Sequence, residues 1–130
     1  MLALSIRQPF AELILRGIKT AELRSRSTNV IGQRFCIYAS KSKAKPAIWS
    51  SDLAVGAPPA WMIELARQVA VIPPDAELVT GMIVGSAVVE RVIAPATERD
   101  PFQWVLGDVR RWRTPRKPSR QPQPVWFRPF

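Results

Sequence analysis

Residues 4–24 read LSIRQPFAELILRGIKTAELR, and the order of local signals in this stretch sets the architecture. Leu4 and Ile6 alternate with polar neighbours as strand residues do. Gln8-Pro9-Phe10 then turns the strand into a helix, because proline is tolerated in a first helical turn, and Phe10, Leu13 and Ile14 recur at helical spacing. Gly17 ends that helix, since glycine enters the left-handed C-terminal conformation without a Cβ clash. Past it, an extended chain puts Glu22 and Arg24 on one face by the two-residue period of a strand, with Lys19 at its start and able to swing toward them. The stretch predicts strand 2–7, helix 9–16 and strand 19–25. Its lysine, carboxylate and arginine form a trio that can hold an anion or orient a polar ligand.

Working outward, the alternation in Arg34-Phe35-Cys36-Ile37-Tyr38-Ala39 predicts a strand over 34–40. Pro46, Pro58-Pro59 and Pro73-Pro74 punctuate two short helical segments, 46–54 and 59–70, the second with Trp61, Leu65 and Val69 on one stripe. The β-branched run 81–94 is the expected central strand; its Gly81 and Gly85 suit a strand that bends or is closely approached by another backbone. Shorter strands are expected at 102–106 and 124–128. The intervening residues 110–124 read as a basic connector, flexible until a partner arrives, because Pro115, Pro118, Pro122 and Pro124 oppose regular structure and arginine cannot build a core. Many short strands with few helices predict an α+β fold, a small β-barrel with short flanking helices, rather than a doubly wound sheet.

A chain of 130 residues suffices for one core, so a single domain over 1–130 is expected. No stretch approaches the roughly 20 apolar residues of a spanning helix, so no membrane association is expected. The N-terminal region has no secretory pattern and the single Cys36 cannot form an internal disulfide, which points to the cytoplasm. Flanked by Phe35 and Ile37, Cys36 reads as a small buried hydrophobe. The chain contains no histidine, which excludes Ser-His-Asp and Cys-His catalysis and histidine-ligated metal; no metal or other cofactor is expected.

Charge is the second signal. Nineteen Lys and Arg against 10 Asp and Glu give a net charge of +9 and a pI near 11.1, which favours a polyanionic partner. Arg110, Arg111, Arg113, Arg116, Lys117 and Arg120 cluster without an intervening acid, as do Lys41, Lys43 and Lys45. They are candidate phosphate contacts, sequence-blind and weakened by salt; the plainer alternative is a solvated surface. Among the five tryptophans, Trp104 and Trp126 lie in apolar runs and read as packing, whereas Trp112, between Arg111 and Arg113, is the candidate for stacking on a base.

The residues Leu4 to Phe10 with their Ser5-x-x-Gln8-Pro9 helix start, followed by Gly17, Lys19, Glu22, Arg24 and Arg26, resemble the ASCH family, whose motif is G-x-K-x-x-E-x-R. The resemblance is specific over 4–26 and weaker around Phe35 to Lys41 and from Trp104 to Trp126; residues 44–80 carry nothing diagnostic. It implies a fold related to PUA domains, a barrel with flanking helices, a cleft beside the motif, and roles in RNA metabolism or transcription coactivation. Some small relatives are amidohydrolases on acetylated nucleosides and others are linked to RNA cleavage. In the amidohydrolase-like relatives a threonine nucleophile stands where this chain has Glu22, and Thr20 sits at a different offset.

Three functions follow as expectations. The first is a nucleic-acid-binding module, for RNA rather than DNA, with Ser5, Gln8, Lys19, Glu22, Arg24 and Arg26 around the cleft, Ser40, Lys41 and Lys43 at its rim, and Arg110, Arg111, Trp112 and Arg113 on the strand path. The second is a metal-free hydrolase, a nucleoside amidohydrolase or ribonuclease, with Lys19 as general base toward Thr20 or a bound water and Glu22 as its partner. The third is an interaction domain for an acidic protein. For the trio, a purely structural ion-pair network is the plainer reading; for Gln8 it is capping of the helix start.

Overall fold

The computed structural model describes residues 1–41 and 78–130. In chain order these residues form β1 (Ala3–Arg7), α1 (Phe10–Leu15), β2 (Ala21–Arg24), β3 (Arg34–Ser40), β4 (Met82–Ile93), β5 (Phe102–Arg116) and β6 (Trp126–Phe127). All six strands belong to one curled sheet in the order β2-β5-β4-β3-β1-β6. β1 runs parallel to β3, with Ser5 opposite Tyr38 and Arg7 opposite Ser40, and the other pairings are antiparallel.

The two-residue period of each strand separates the faces. Leu4 and Ile6 of β1, Phe35, Ile37 and Ala39 of β3, Val84, Ala87 and Val89 of β4, and Trp104 and Leu106 of β5 form the concave core. Ala11 and Ile14 of α1 join it, so the helix packs into the curl. Ala3, Cys36, Tyr38, Ile83 and Phe127 form a smaller cluster on the opposite face, with Trp112 packed against it. Cys36 is buried, as its apolar neighbours imply.

The sheet ends, β2 and β6, are not joined by a strand ladder. Side chains close the gap instead. Arg24 of β2 donates through Nη2 to the Ser5 carbonyl of β1 at 2.7 Å. The indoles of Trp104 and Trp126 stack nearly parallel, 5.8 Å apart and 3° between planes, while Phe35 meets Trp126 edge-on at 5.3 Å. The architecture is therefore a half-barrel drawn together along a seam of arginine and tryptophan.

Expected strands at 2–7, 19–25, 34–40 and 81–94 correspond to β1 to β4. Gly85 is closely approached by another backbone: a Cβ there would lie 2.5 Å from the Arg110 carbonyl oxygen and 2.6 Å from Leu15 Cδ2. Two expectations need correction. Flanking helices are minor, since α1 with six residues is the only helix among the described residues; the predicted helices 46–54 and 59–70, with Trp49, Trp61, Leu65 and Val69, lie outside them. The strand expected at 102–106 runs on to Arg116, taking in the first part of the supposed connector. Register shifts against β4 accommodate irregular residues such as Asp108, which has φ 44°. The irregular stretch is confined to residues 117–125. Among the described residues no helix is long and apolar enough to cross a membrane.

Candidate functional site

Three of the motif residues, Lys19, Glu22 and Arg24, converge just past the end of α1. Gly17 takes φ 75° and lets the chain reverse, after which the Ile18 and Lys19 amides both donate to the Leu13 carbonyl. This return folds the Lys19 side chain inward. Its Nζ lies 3.3 Å from Glu22 Oε1 and 5.4 Å from the centre of the Phe10 ring, and both members of the ion pair are buried. Burial pushes the ammonium below the ordinary lysine range; Glu22 opposes the shift and Arg24 adds to it. Arg24 Nε approaches the same Oε1 at 3.6 Å. Glu22 Oε2, by contrast, is buried without a hydrogen-bond partner among the described residues.

Glu22 and Arg24 face a cleft of about 940 Å³. Its floor is the end of β1 and β3, with Ser5, Arg7, Tyr38 and Ser40, and residues 117–124 form the opposite wall. That wall is tethered: the Ser5 amide donates to the Val125 carbonyl at 3.0 Å, Ser5 Oγ donates to the Gln123 carbonyl, and the amides of Ser119 and Arg120 reach the Pro129 carbonyl. Arg116 stacks its guanidinium 4.1 Å from the Phe130 ring centre. Among the described residues, Arg7, Arg24, Lys41, Lys117 and Arg120 line the cleft against a single lining carboxylate, Glu22. The result is a cationic mouth with one buried acceptor at its base, suited to an anion that also carries a hydrogen-bond donor.

A second cleft, about 720 Å³, opens on the other side of the seam, between the polar residues 25–29 and the Trp104–Trp126 stack. Arg24 lines this cleft as well. Arg26 belongs to the second cleft, where its carbonyl accepts the Trp104 Nε1 hydrogen bond at 3.0 Å.

Each expected site residue can now be placed. Ser5, Glu22, Arg24, Ser40 and Lys41 meet around the first cleft. Lys19 is not part of its wall but lies behind Glu22. Gln8 is buried and spends both ends of its amide on backbone, donating to the Val79 carbonyl at 2.9 Å and accepting from the Glu12 amide at 3.0 Å. Thr20 is exposed, outside both clefts, and its carbonyl accepts from the Leu106 amide. Arg111 is committed to Glu12 by a two-pronged pair at 2.9 and 2.6 Å that fastens α1 to β5. Arg110 pairs with Asp108 at 3.1 Å. The basic cluster thus meets acids after all, one across the fold for Arg111 and one two residues back on the same strand for Arg110. Arg113 is exposed, Trp112 is half-buried against the convex cluster, and Lys43 lies outside the described residues.

Arg7 is the main cleft residue that sequence reasoning missed. The available signal was its period-two relation to Ser5, which places both on one strand face; the parallel pairing that sets Arg7 against Ser40 was not readable.

The ASCH domain profile matches residues 4–106. Among solved structures, the chain is similar to the crystal structure of ASCH from Zymomonas mobilis, with a TM-score of 0.57 and 16% identity over 97% of this chain and 85% of that one. None of the curated proteins matches. With the family profile running from the first core strand to the strand that carries Trp104, and the same curled sheet in a solved relative, the chain belongs to the ASCH domain family.

Proposed function

We propose that this ASCH domain binds single-stranded RNA, taking one splayed-out nucleotide into the larger cleft. The observation that carries the reading is the buried Oε2 of Glu22, without a hydrogen-bond partner among the described residues, at the base of a mouth that five cations of those residues line. A nucleotide satisfies both demands: its phosphate meets the cations, and a ribose hydroxyl or base N–H donates to the carboxylate. The volume of about 940 Å³ is ample for that ligand. RNA is preferred over DNA because its 2′-hydroxyl is a donor that deoxyribose lacks, and a single strand over a duplex because an unstacked base can enter a concave site.

The test is a salt titration of binding to matched single-stranded RNA, duplex RNA and single-stranded DNA, with the native chain and Glu22→Gln. Single-stranded RNA should bind tightest, with affinity falling as salt rises, and Glu22→Gln should erase the RNA preference. Equal affinity for all three nucleic acids, or none at moderate salt, would sink the proposal.

A hydrolase acting on a modified nucleoside is the second reading, favoured by the burial that lowers the Lys19 ammonium toward the range of a general base. Against it stand the position of Lys19 behind Glu22 and the exposure of Thr20 outside the cleft. Turnover of acetylated nucleosides by the native chain, lost in a folded Lys19→Met variant, would establish it.

A further inference from the structure

The two clefts meet at one side chain. Arg24 lines both, and its guanidinium is held in place by the Ser5 carbonyl on one side, by Glu22 on another, and by the Trp104 ring 5.8 Å away. A cation fixed in this way, at the boundary of two concave surfaces, meets an anion without first losing the rotamer freedom of a loose side chain. The second cleft has its own recognition chemistry. The half-buried Trp126 offers an aromatic surface, while Ser25, Ser27, Thr28 and Asn29 bring hydroxyl and amide groups. Arg26 adds a second cation, and among the described residues no acidic one lines this cleft. An aromatic surface beside short polar side chains and a cation is the environment a base and its phosphate require.

Building on the RNA reading above, we infer that the second cleft is a subsite for the adjacent nucleotide of the same strand, and that Arg24 clamps the phosphate linking the two. The bound strand crosses the seam, one nucleotide on each side. The motif arginines then have separate tasks: Arg24 holds the linkage, and Arg26 serves the second nucleotide alone.

The experiment uses 5′-phosphorylated adenylate and uridylate ladders of one to four residues, with affinity and backbone amide shifts measured for the full chain and for Arg26→Glu. Arg26 is exposed and its main-chain contact survives the substitution, so the fold is retained. In the native chain the second nucleotide should tighten binding by roughly tenfold or more and extend the shifted amides from the first cleft to residues 25–29. Arg26→Glu should abolish that gain and leave mononucleotide affinity unchanged. If longer RNA binds but the second nucleotide adds nothing, or amides 25–29 stay put, or Arg26→Glu keeps the full gain, this inference is wrong while the RNA reading stands. If RNA of no length binds, both fall.

Discussion

Lys19 Nζ and Glu22 Oε1 lie 3.3 Å apart with both side chains buried, Glu22 at the wall of the cleft and Lys19 behind it. A buried pair of this kind gains little over an apolar pair of equal volume, yet either partner alone is costly. Lys19→Met should therefore destabilise the fold by about 3 kcal/mol, because it strands the Glu22 carboxylate. The double variant Lys19→Met/Glu22→Leu should recover most of that loss. Urea unfolding of the three chains checks this; a double variant as unstable as the single one would refute it.

Glu12 predicts the acid limb of stability. Burial raises its carboxyl, but the hydrogen bonds and charges of Arg111 and Arg16 outweigh burial and hold it below its ordinary value of 4.5. A carboxylate with a depressed pKa in the folded state stabilises fully above the unfolded value and loses that contribution as pH falls through the folded value. Stability should thus drop below about pH 4.5 with a slope that Glu12→Gln flattens. Thermal unfolding at pH 3 to 7 reads the difference, and parallel curves for the two chains would contradict the assignment.

Two strand glycines should respond unequally to alanine. At Gly85 the new methyl would meet backbone, the Arg110 carbonyl at 2.5 Å, which cannot move without opening the β4–β5 pairing. Gly85→Ala should cost about 1–3 kcal/mol. At Gly107 the clash is with the carboxylate end of the exposed Glu90, which can swing aside, so Gly107→Ala should cost much less. Similar midpoints for both variants would show that the Gly85 contact relaxes.

Lys117 and Arg120 line the first cleft from its tethered wall and make no salt bridge to an acidic partner among the described residues. Replacing both by alanine should weaken RNA uniformly across sequences and lower the salt slope by about two. Arg111→Ala should instead cost stability, since its guanidinium fastens α1 to β5 through Glu12. A native salt slope in the Lys117→Ala/Arg120→Ala chain would remove that wall from the binding path.

Much of the fold was legible because local chemistry and global placement agree. Pro9, Gly17 and the alternation of 34–40 mark element limits by backbone preference alone, and Gly85 announced a close approach that the Arg110 carbonyl makes. β5 was cut short because its second half alternates arginine with tryptophan and includes Pro115, a pattern that local reading assigns to loop; its strand character comes from pairing with β4. For the site, the motif spacing correctly joined Lys19, Glu22 and Arg24. Spacing carries no information on depth, so it did not reveal that Lys19 is buried behind its partner. Nor could it show that Arg111 answers to Glu12, since that pairing exists only once β5 crosses α1; the Arg110–Asp108 pair, two residues apart, lay within reach of a local reading.

The seam has a consequence for how this protein behaves among copies of itself. Strands with open main-chain edges template the addition of further strands, and a common protection is to keep those edges short and obstructed. Here the two terminal strands of the sheet are four and two residues long, and an arginine and two stacked tryptophans span the gap between them. The side chains that draw the sheet into a half-barrel also obstruct the short β2 and β6 edges against a neighbouring chain, so closure and protection of those two edges are the work of the same three residues.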